Sequence, residues 1–570
     1  MYAALKKNRA KAAPRSKVQP ALQVRPLLEA LVVTAVFLAV ASFGLWHHEM
    51  WRDEHQAWLV ARDAHSLPEL FANMKYEGNP ALWHLLLFGI TRFTHNPIFM
   101  QVLHLFIAGG FIFVFNRYCE MKLLYKVLFS FGYFPLYEYA VISRGYGLGL
   151  LLTFIACALF KNRSSYYLVI FVVLGLLANV TIYGLIISLG LVGILILDYF
   201  LTRKKGDNLS RAFLTGVGIY LFLAAVAILQ IMPDKNNSFP APIAETWFEG
   251  WRWSYILSRL FTTYFYMPDP HGMHFWNSNV FFDNAAFDEA PNRWQWVIQH
   301  PPIILVFAFL PLATFLLGLL LFLSRPLILL LYAGVTLLLL AAFYYTLLVH
   351  MRYCGHLLVI LIVCVWLSAY FPARAYRKGL LRSLANAGGR LQKPLLASIL
   401  LFQIGAAAIA FAKDFKYEFS ASKEVADFIR QEKLETLDIA GMTDFTISPL
   451  ATYLNKKIFY LQSLEWGSFT RWNKQRRNVL KWREVMDALA VSMQGRTSML
   501  LVMSQPVKIT TDGKTYKLID RYRIAENRKV DFLRFFPAQI VHDEKYYLYL
   551  AQTVDPAKEN LKDYPLLRSK

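Results

Sequence analysis

The 570-residue chain is short of charge, of acids and of cysteine. Charged residues make up 17% of it, against about 25% in soluble globular proteins. Apolar residues make up 56%, so intrinsic disorder is excluded. A single soluble domain does not fit this length and hydrophobicity. The four cysteines, Cys119, Cys157, Cys354 and Cys364, are too few for a disulfide framework. They lie in or beside apolar runs without metal-ligand spacing, as small buried hydrophobes do. Acids number 38 against 60 Lys plus Arg, a net charge of +22. A surplus of this size invites a nucleic-acid reading until its position along the chain is known.

What the chain has is long apolar runs. A hydrocarbon core of about 30 Å needs about 20 apolar residues in a helix. Eleven runs qualify as spans, the shorter ones marginally, at 27–46, 97–116, 127–142, 146–160, 165–181, 184–201, 212–232, 302–323, 327–348, 354–371 and 394–412. The first run lacks a small-residue cleavage site and is followed by Trp46, His47 and His48, so it reads as a retained span. Residues 80–93 carry Trp83, His84 and Arg92 and are read as lying along the membrane surface. With that choice, segments 1–26, 117–126, 161–163, 202–211, 324–326 and 372–393 fall on one side. They hold 23 Lys or Arg against Glu120 and Asp207, which is +21 of the total +22. By the positive-inside rule this side is cytoplasmic, with the N-terminus inside and the C-terminus outside. The charge is a topology signal, and no nucleic-acid partner is expected. Residues 1–26 read as a basic arm at the lipid surface.

The resulting plan is a mainly α, polytopic membrane domain over 27–412 with external loops 47–96 and 233–301, and an external α/β domain over 413–570. In the tail, 422–432 has helical periodicity, as do 447–455 and 478–493. Apolar runs at 436–440, 457–461 and 498–503 read as strands, with more at 515–522 and 545–551. The tail has no GxGxxG and no P-loop, so no cofactor is assigned to it. Trp466, Phe469 and Trp472 suit a membrane face, a sugar or a core.

The first external loop holds Met50-Trp51-Arg52-Asp53-Glu54-His55, then Tyr76-Glu77-Gly78-Asn79-Pro80. Two adjacent carboxylates at a membrane exit are costly to desolvate unless paired or coordinated. They accept a proton from a hydroxyl, hold a divalent cation, or cap the following helix. The position and flanks of Asp53-Glu54 resemble the first external loop of the GT-C superfamily of polytopic glycosyltransferases. The protein mannosyltransferases and aminoarabinose transferases are the most similar subgroup. Residues 66–76 and 80–93 look like the surface helices of that loop. A second likeness is Ile142-Ser143-Arg144-Gly145-Tyr146 at the external end of the third span. There the family has an arginine, usually followed by Pro-Asp, which this chain replaces with Gly-Tyr.

The resemblance implies a sugar donor linked to polyprenyl phosphate, an acceptor hydroxyl, and Asp53 as general base with Glu54 beside it. Arg144, Arg352 and His350 are expected at the donor phosphate. Lys75, Glu77, Tyr146, Asp269 and His271 are substrate-binding candidates. His271 and His274 have metal-compatible spacing, but no third ligand follows from the sequence and turn chemistry from Pro268 and Pro270 explains the segment. No metal residue is assigned; a divalent cation such as Mg or Mn stays open as a cofactor. The acceptor, whether saccharide, lipid or protein, is not specified. Trp247, Trp251 and Trp253 suit an interfacial belt. The implied setting is a bacterial inner membrane, with membrane lipid as a partner. A transporter would need ionisable groups deep in the spans or repeated halves, and a non-catalytic scaffold would leave the acidic pair without a purpose.

Overall fold

The computed structural model describes residues 20–570 apart from 204–207, 239–249, 274, 281–300, 347–349, 377, 511–515, 519, 556, 558–560, 562, 563 and 565–570. The basic arm through residue 19, Trp247 and His274, and the side chains of Trp251 and Trp253, lie outside the described residues. Among the described residues six helices are long and apolar enough to cross a membrane. They are α1 (Pro20–His47, apolar from Arg25), α5 (Ile98–Tyr118), α9 (Ile182–Thr202), α10 (Arg211–Ile231), α13 (Pro326–Thr346) and α15 (Leu380–Lys416). The shorter α7 (Tyr146–Phe160), α8 (Arg163–Ala178), α12 (Pro301–Phe322) and α14 (Met351–Leu367) complete the pattern. The third expected span divides into α6 (Leu123–Ser130) and a π-helix at Tyr133–Val141. All nine residues of the π-helix are buried, and Pro135 removes one backbone donor from it. This wide turn delivers Ser143 and Arg144 to the first loop.

The loop between α1 and α5 is helical: α2 (Arg52–Arg62), α3 (Leu67–Asn73) and α4 (Leu82–Thr91). Ten residues of helix rise about 15 Å, half a hydrocarbon core, so α4 is too short to cross. It packs on α2. Helix α15 is longer than its apolar run. It begins inside the basic segment expected as a loop, because Leu380–Gly389 continues the same helix ahead of Pro394. Helix α11 (Gly250–Tyr264) packs on α12 and α14.

The tail folds as α16 (Ser422–Gln431), β1 (Asp438–Met442), α17 (Asp444–Tyr453), β2 (Ile458–Tyr460), β3 (Glu465–Gly467), α18 (Trp482–Ser492) and β4 (Ser498–Met503). Then come β5 (Lys508–Thr510), β6 (Tyr516–Leu518), β7 (Arg521–Ala525), β8 (Arg528–Phe536) and β9 (Tyr546–Thr553). A seven-stranded sheet has the order β3-β2-β1-β4-β9-β8-β7, with β1 parallel to β2 and β4 and the other pairs antiparallel. Strand β4 is apolar at nearly every position because both its faces are buried. Met499, Leu501 and Met503 join the core with Val485 and Leu489 of α18. Leu500 and Val502 alternate onto the opposite face, in the cluster with Ile447 and Leu450 of α17. Helix α17 also packs on α2, which fixes the tail against the first loop.

Candidate active site

Four residues separate the end of α1 from the start of α2. Glu54 turns back to accept the Trp51 backbone N–H at 3.1 Å, the capping role that suits an acid at this helical position. It also accepts the Ser143 N–H at 2.7 Å and a bond from His48 Nε2 at 3.2 Å. His48 Nδ1 donates to Asp414 at 2.9 Å, and the Tyr137 hydroxyl donates to the same carboxylate at 2.9 Å. Burial pushes the Glu54 carboxyl up, but the His48 charge and these donors outweigh it and hold it below the usual carboxylate range. Burial works downward on His48, yet Asp414 and Glu54 prevail and raise it to about 10. The network ties the ends of α1, α2, the π-helix and α15 at one point.

Successive side chains on an α-helix diverge by about 100°, so Asp53 and Glu54 do not share a face. The two acids expected at the site therefore take different surroundings. Glu54 is wholly buried with its bonds made, and Asp53 alone faces the opening. Asp53 Oδ2 lies 2.9 Å from Arg352 Nη2 and 3.3 Å from Arg144 Nη1. Arg144 Nη1 also donates to the Asp53 carbonyl at 2.6 Å. Burial raises the Asp53 carboxyl, but Arg352, Arg144 and Arg52 outweigh it and keep it below its ordinary range.

Arg352 lies over the rings of Trp51 at 5.0 Å, Tyr353 at 4.9 Å and Trp276 at 5.6 Å. Stacking on aromatic faces is a property of guanidinium that an ammonium does not reproduce. Its Nη2 donates to the Tyr353 hydroxyl at 3.0 Å. Its Nε and Nη1 are buried with no hydrogen-bond partner in the protein. Buried donors are ordinarily satisfied, so two open donors beside Asp53 mark a place for an acceptor group.

Asp53, Arg144, Tyr146 and Glu77 line one open cleft of about 390 Å³. Glu77 accepts from Gln56 Nε2 at 2.7 Å. Crowding by the loop pushes the Glu77 carboxyl up to about 7, against the Gln56 hydrogen bond and the charge of Arg144. The cleft also holds Trp83, His84 and Thr181, which sequence reasoning missed as site residues. Neither ring nitrogen of His84 has a partner, and burial followed by the charge of Arg144 keeps the imidazole neutral, down at about 3. Its signal in the sequence was a polar residue within an apolar run, which also fits an ordinary surface helix.

The other expected residues are placed elsewhere. His350 stands at the N-terminus of α14, with its ring 5.8 Å from that of Tyr353; like Arg352 it does not line the cleft, although its charge is felt at Asp53. Lys75 pairs with Asp234 at 2.9 Å, off the cleft. The Asp269 carboxylate accepts the His271 backbone N–H at 2.9 Å, a turn-stabilising bond, and neither residue lines the cleft. Among the described residues no group of three or more His, Cys, Asp or Glu side chains is arranged to hold a metal.

The tail closes over the loop. Gln56 donates to the Thr470 carbonyl at 2.8 Å and accepts the Thr470 N–H at 3.0 Å. Arg52 pairs with Asp543 at 2.7 Å, and its N–H donates to Glu544 at 3.0 Å. Asp63 accepts from the Ser468 hydroxyl.

A solved structure resembles this chain. It is the crystal structure of ArnT from Cupriavidus metallidurans bound to undecaprenyl phosphate, at 13% sequence identity and a TM-score of 0.42. The match covers 91% of this chain and 97% of that one. No protein-family model and no curated protein matches the chain. At so distant a likeness, the reading of the cleft rests on its own geometry.

Proposed function

We propose that the protein is a membrane glycosyltransferase that moves a sugar from a polyprenyl-phosphate donor to an acceptor hydroxyl. The observation that carries the reading is the carboxylate of Asp53, which lines a cleft with Arg144 and is also held from behind by the buried Arg352. A lipid phosphate competes with Asp53 for these guanidinium groups. Arg352 Nε and Nη1 are buried without a hydrogen-bond partner in the protein, so a phosphate that displaces Asp53 would find unused donors there, and bidentate contact with phosphate is the characteristic chemistry of arginine.

In the proposed reaction the acceptor oxygen attacks the anomeric carbon as the bond from that carbon to the phosphate oxygen breaks. The acceptor proton passes to Asp53. The electron pair leaves with the phosphate, where Arg144 and Arg352 stabilise its charge. One displacement inverts the anomeric centre. Tyr146, with Arg144 placed 5.9 Å from its ring, helps fix that guanidinium. The reaction face is read as the outer face of a bacterial inner membrane, on the charge distribution along the chain.

Glu77 offers a second reading of the base, favoured by its position across the same cleft and its carboxyl near pH 7. The test is reconstitution with polyprenyl-phosphate hexoses and pentoses, following release of the lipid phosphate. Release by the wild type and its loss in a folded Asp53→Asn variant support Asp53. Undiminished release by that variant overturns its role.

A further inference from the structure

A second cleft, of about 770 Å³, lies between the first loop and the tail. Its loop wall includes Asp63 and Glu69, and its tail wall runs from Tyr460 to Gln475. We infer that this cleft binds a neutral saccharide, and that it is the acceptor subsite of the reaction proposed above. The word acceptor rests on that proposal; the saccharide assignment rests on the cleft itself.

The tail wall carries a preset aromatic platform. Trp466 of β3 is 39% exposed. Arg496 lies over the indole at 5.0 Å, and Phe459 meets it edge-on at 5.5 Å. Arg496 is itself fixed by Asp438 at 2.6 Å. One side of the ring is thus occupied and its orientation set. Rings of this kind, amphipathic and rigid, bind flat apolar faces such as the C–H face of a pyranose. Beside it, Tyr460 is 3% exposed and its hydroxyl has no hydrogen-bond partner in the protein. A buried phenol ordinarily finds a partner, and this one lines the cleft. Asn473 and Gln475 add amides that donate and accept.

Two carboxylates lining the cleft are paired with arginines within the protein, and the other charges are of both signs, which disfavours a strongly ionic ligand of either sign. Asp444 takes two bonds from Arg476, each at 2.7 Å. Asp63 is paired with Arg62 at 2.6 Å. Glu69 accepts the His65 N–H at 2.8 Å. The remaining charges include both signs, Glu465 against Lys457 and Arg471.

The two clefts share a wall. Gln56 holds Thr470, between the lining residues Phe469 and Arg471 of the second cleft, and with the same amide holds Glu77 of the first. Gln56 thus links the tail wall of the second cleft to the carboxylate of Glu77, which shares the first cleft with Asp53.

The experiment uses the full-length protein in detergent, with cellopentaose, maltopentaose and xylopentaose as neutral probes and pentagalacturonate as an anionic control. Binding is read by saturation-transfer NMR. At least one neutral probe is expected to bind, at least about tenfold more weakly in Trp466→Ala and several-fold more weakly in Tyr460→Phe. Trp466→Phe keeps the platform and is expected to restore binding. Binding of polyprenyl phosphate, measured in parallel, stays unchanged in these variants and is lost in Arg144→Ala/Arg352→Ala. No signal from any neutral probe, binding indifferent to Trp466→Ala, or a preference for pentagalacturonate overturns the saccharide assignment. Saccharide binding that follows Trp466, with polyprenyl phosphate indifferent to the arginines, overturns the donor reading while leaving the saccharide site standing.

Discussion

On one face of helix α2, Asp53 keeps 26% of its side chain exposed in a cleft, while on the other face Glu54 keeps none. The residues are adjacent and both are held ionised, but by different partners. Glu54 is held by a buried histidine and two backbone N–H groups. Asp53 is held by two guanidinium groups at the rim of an opening. The first arrangement is closed: nothing is left for a ligand to exchange with. The second is open, because a phosphate offers the arginines the same chemistry as a carboxylate. Position on the helix, rather than residue type, separates the buried anchor from the carboxylate left at an opening.

The contrast is broken most directly by Asp53→Asn. Turnover is expected to fall by about 10²–10⁴-fold, with thermal unfolding and gel-filtration behaviour unchanged. Glu54→Gln is expected to do the reverse, lowering stability by about 1–3 kcal/mol through lost hydrogen bonds to a charged group. The folded fraction then retains near wild-type turnover per molecule. Equal losses of turnover in the two variants would erase the distinction between the faces.

The closed side is sharpened by pH. The folded value of His48, about 10, lies above its ordinary value of 6.5. Its contribution to stability is therefore full below pH 6.5 and is lost as pH rises through about 10. His48→Ala is expected to cost about 3–5 kcal/mol by leaving buried carboxylates unpaired. Its melting temperature should also lose the wild-type decline between pH 7 and 10, and an unchanged decline would remove His48 from the account.

On the open side, Arg352→Lys keeps the charge but loses the planar donors, and polyprenyl-phosphate affinity is expected to drop about tenfold. The smallest effect separates the two carboxylates of the cleft. If Glu77 is the base, activity falls below pH 7 as it takes up a proton, and Glu77→Gln removes both this limb and most turnover. If Asp53 is the base, its low pKa leaves no such limb in the neutral range, and Glu77→Gln keeps most activity.

The membrane helices were legible because a helix of about 20 consecutive apolar residues matches the thickness of a hydrocarbon core. The tail strands β1, β2, β4 and β9 were legible as apolar runs. Strand β3 was not, since Glu-Trp-Gly is three residues held only by pairing with β2. Strand β8 was missed too, because its Lys, Asp and Arg residues interrupt the apolar pattern. Asp53, Arg144 and Arg352 were each visible as charged residues at the ends of apolar runs. Their sharing one face followed from the topology and their sharing one site from the resemblance, but the direct contact of Arg352 with Asp53, across some three hundred positions of sequence, did not. The divergence of Glu54 follows from helical geometry alone and needed only the start of α2. The second cleft was illegible because its walls come from segments about 400 residues apart.

Those same long-range contacts set an order of assembly. Helix α2 is synthesised early, yet Arg52, Gln56 and Asp63 meet partners 492, 414 and 405 residues later in the chain. Loop closures of that reach come late in folding. The wall between the clefts is therefore incomplete until the tail has been made and has docked. A chain interrupted before Thr470 carries Asp53, Arg144 and Arg352 but lacks that contact with Gln56.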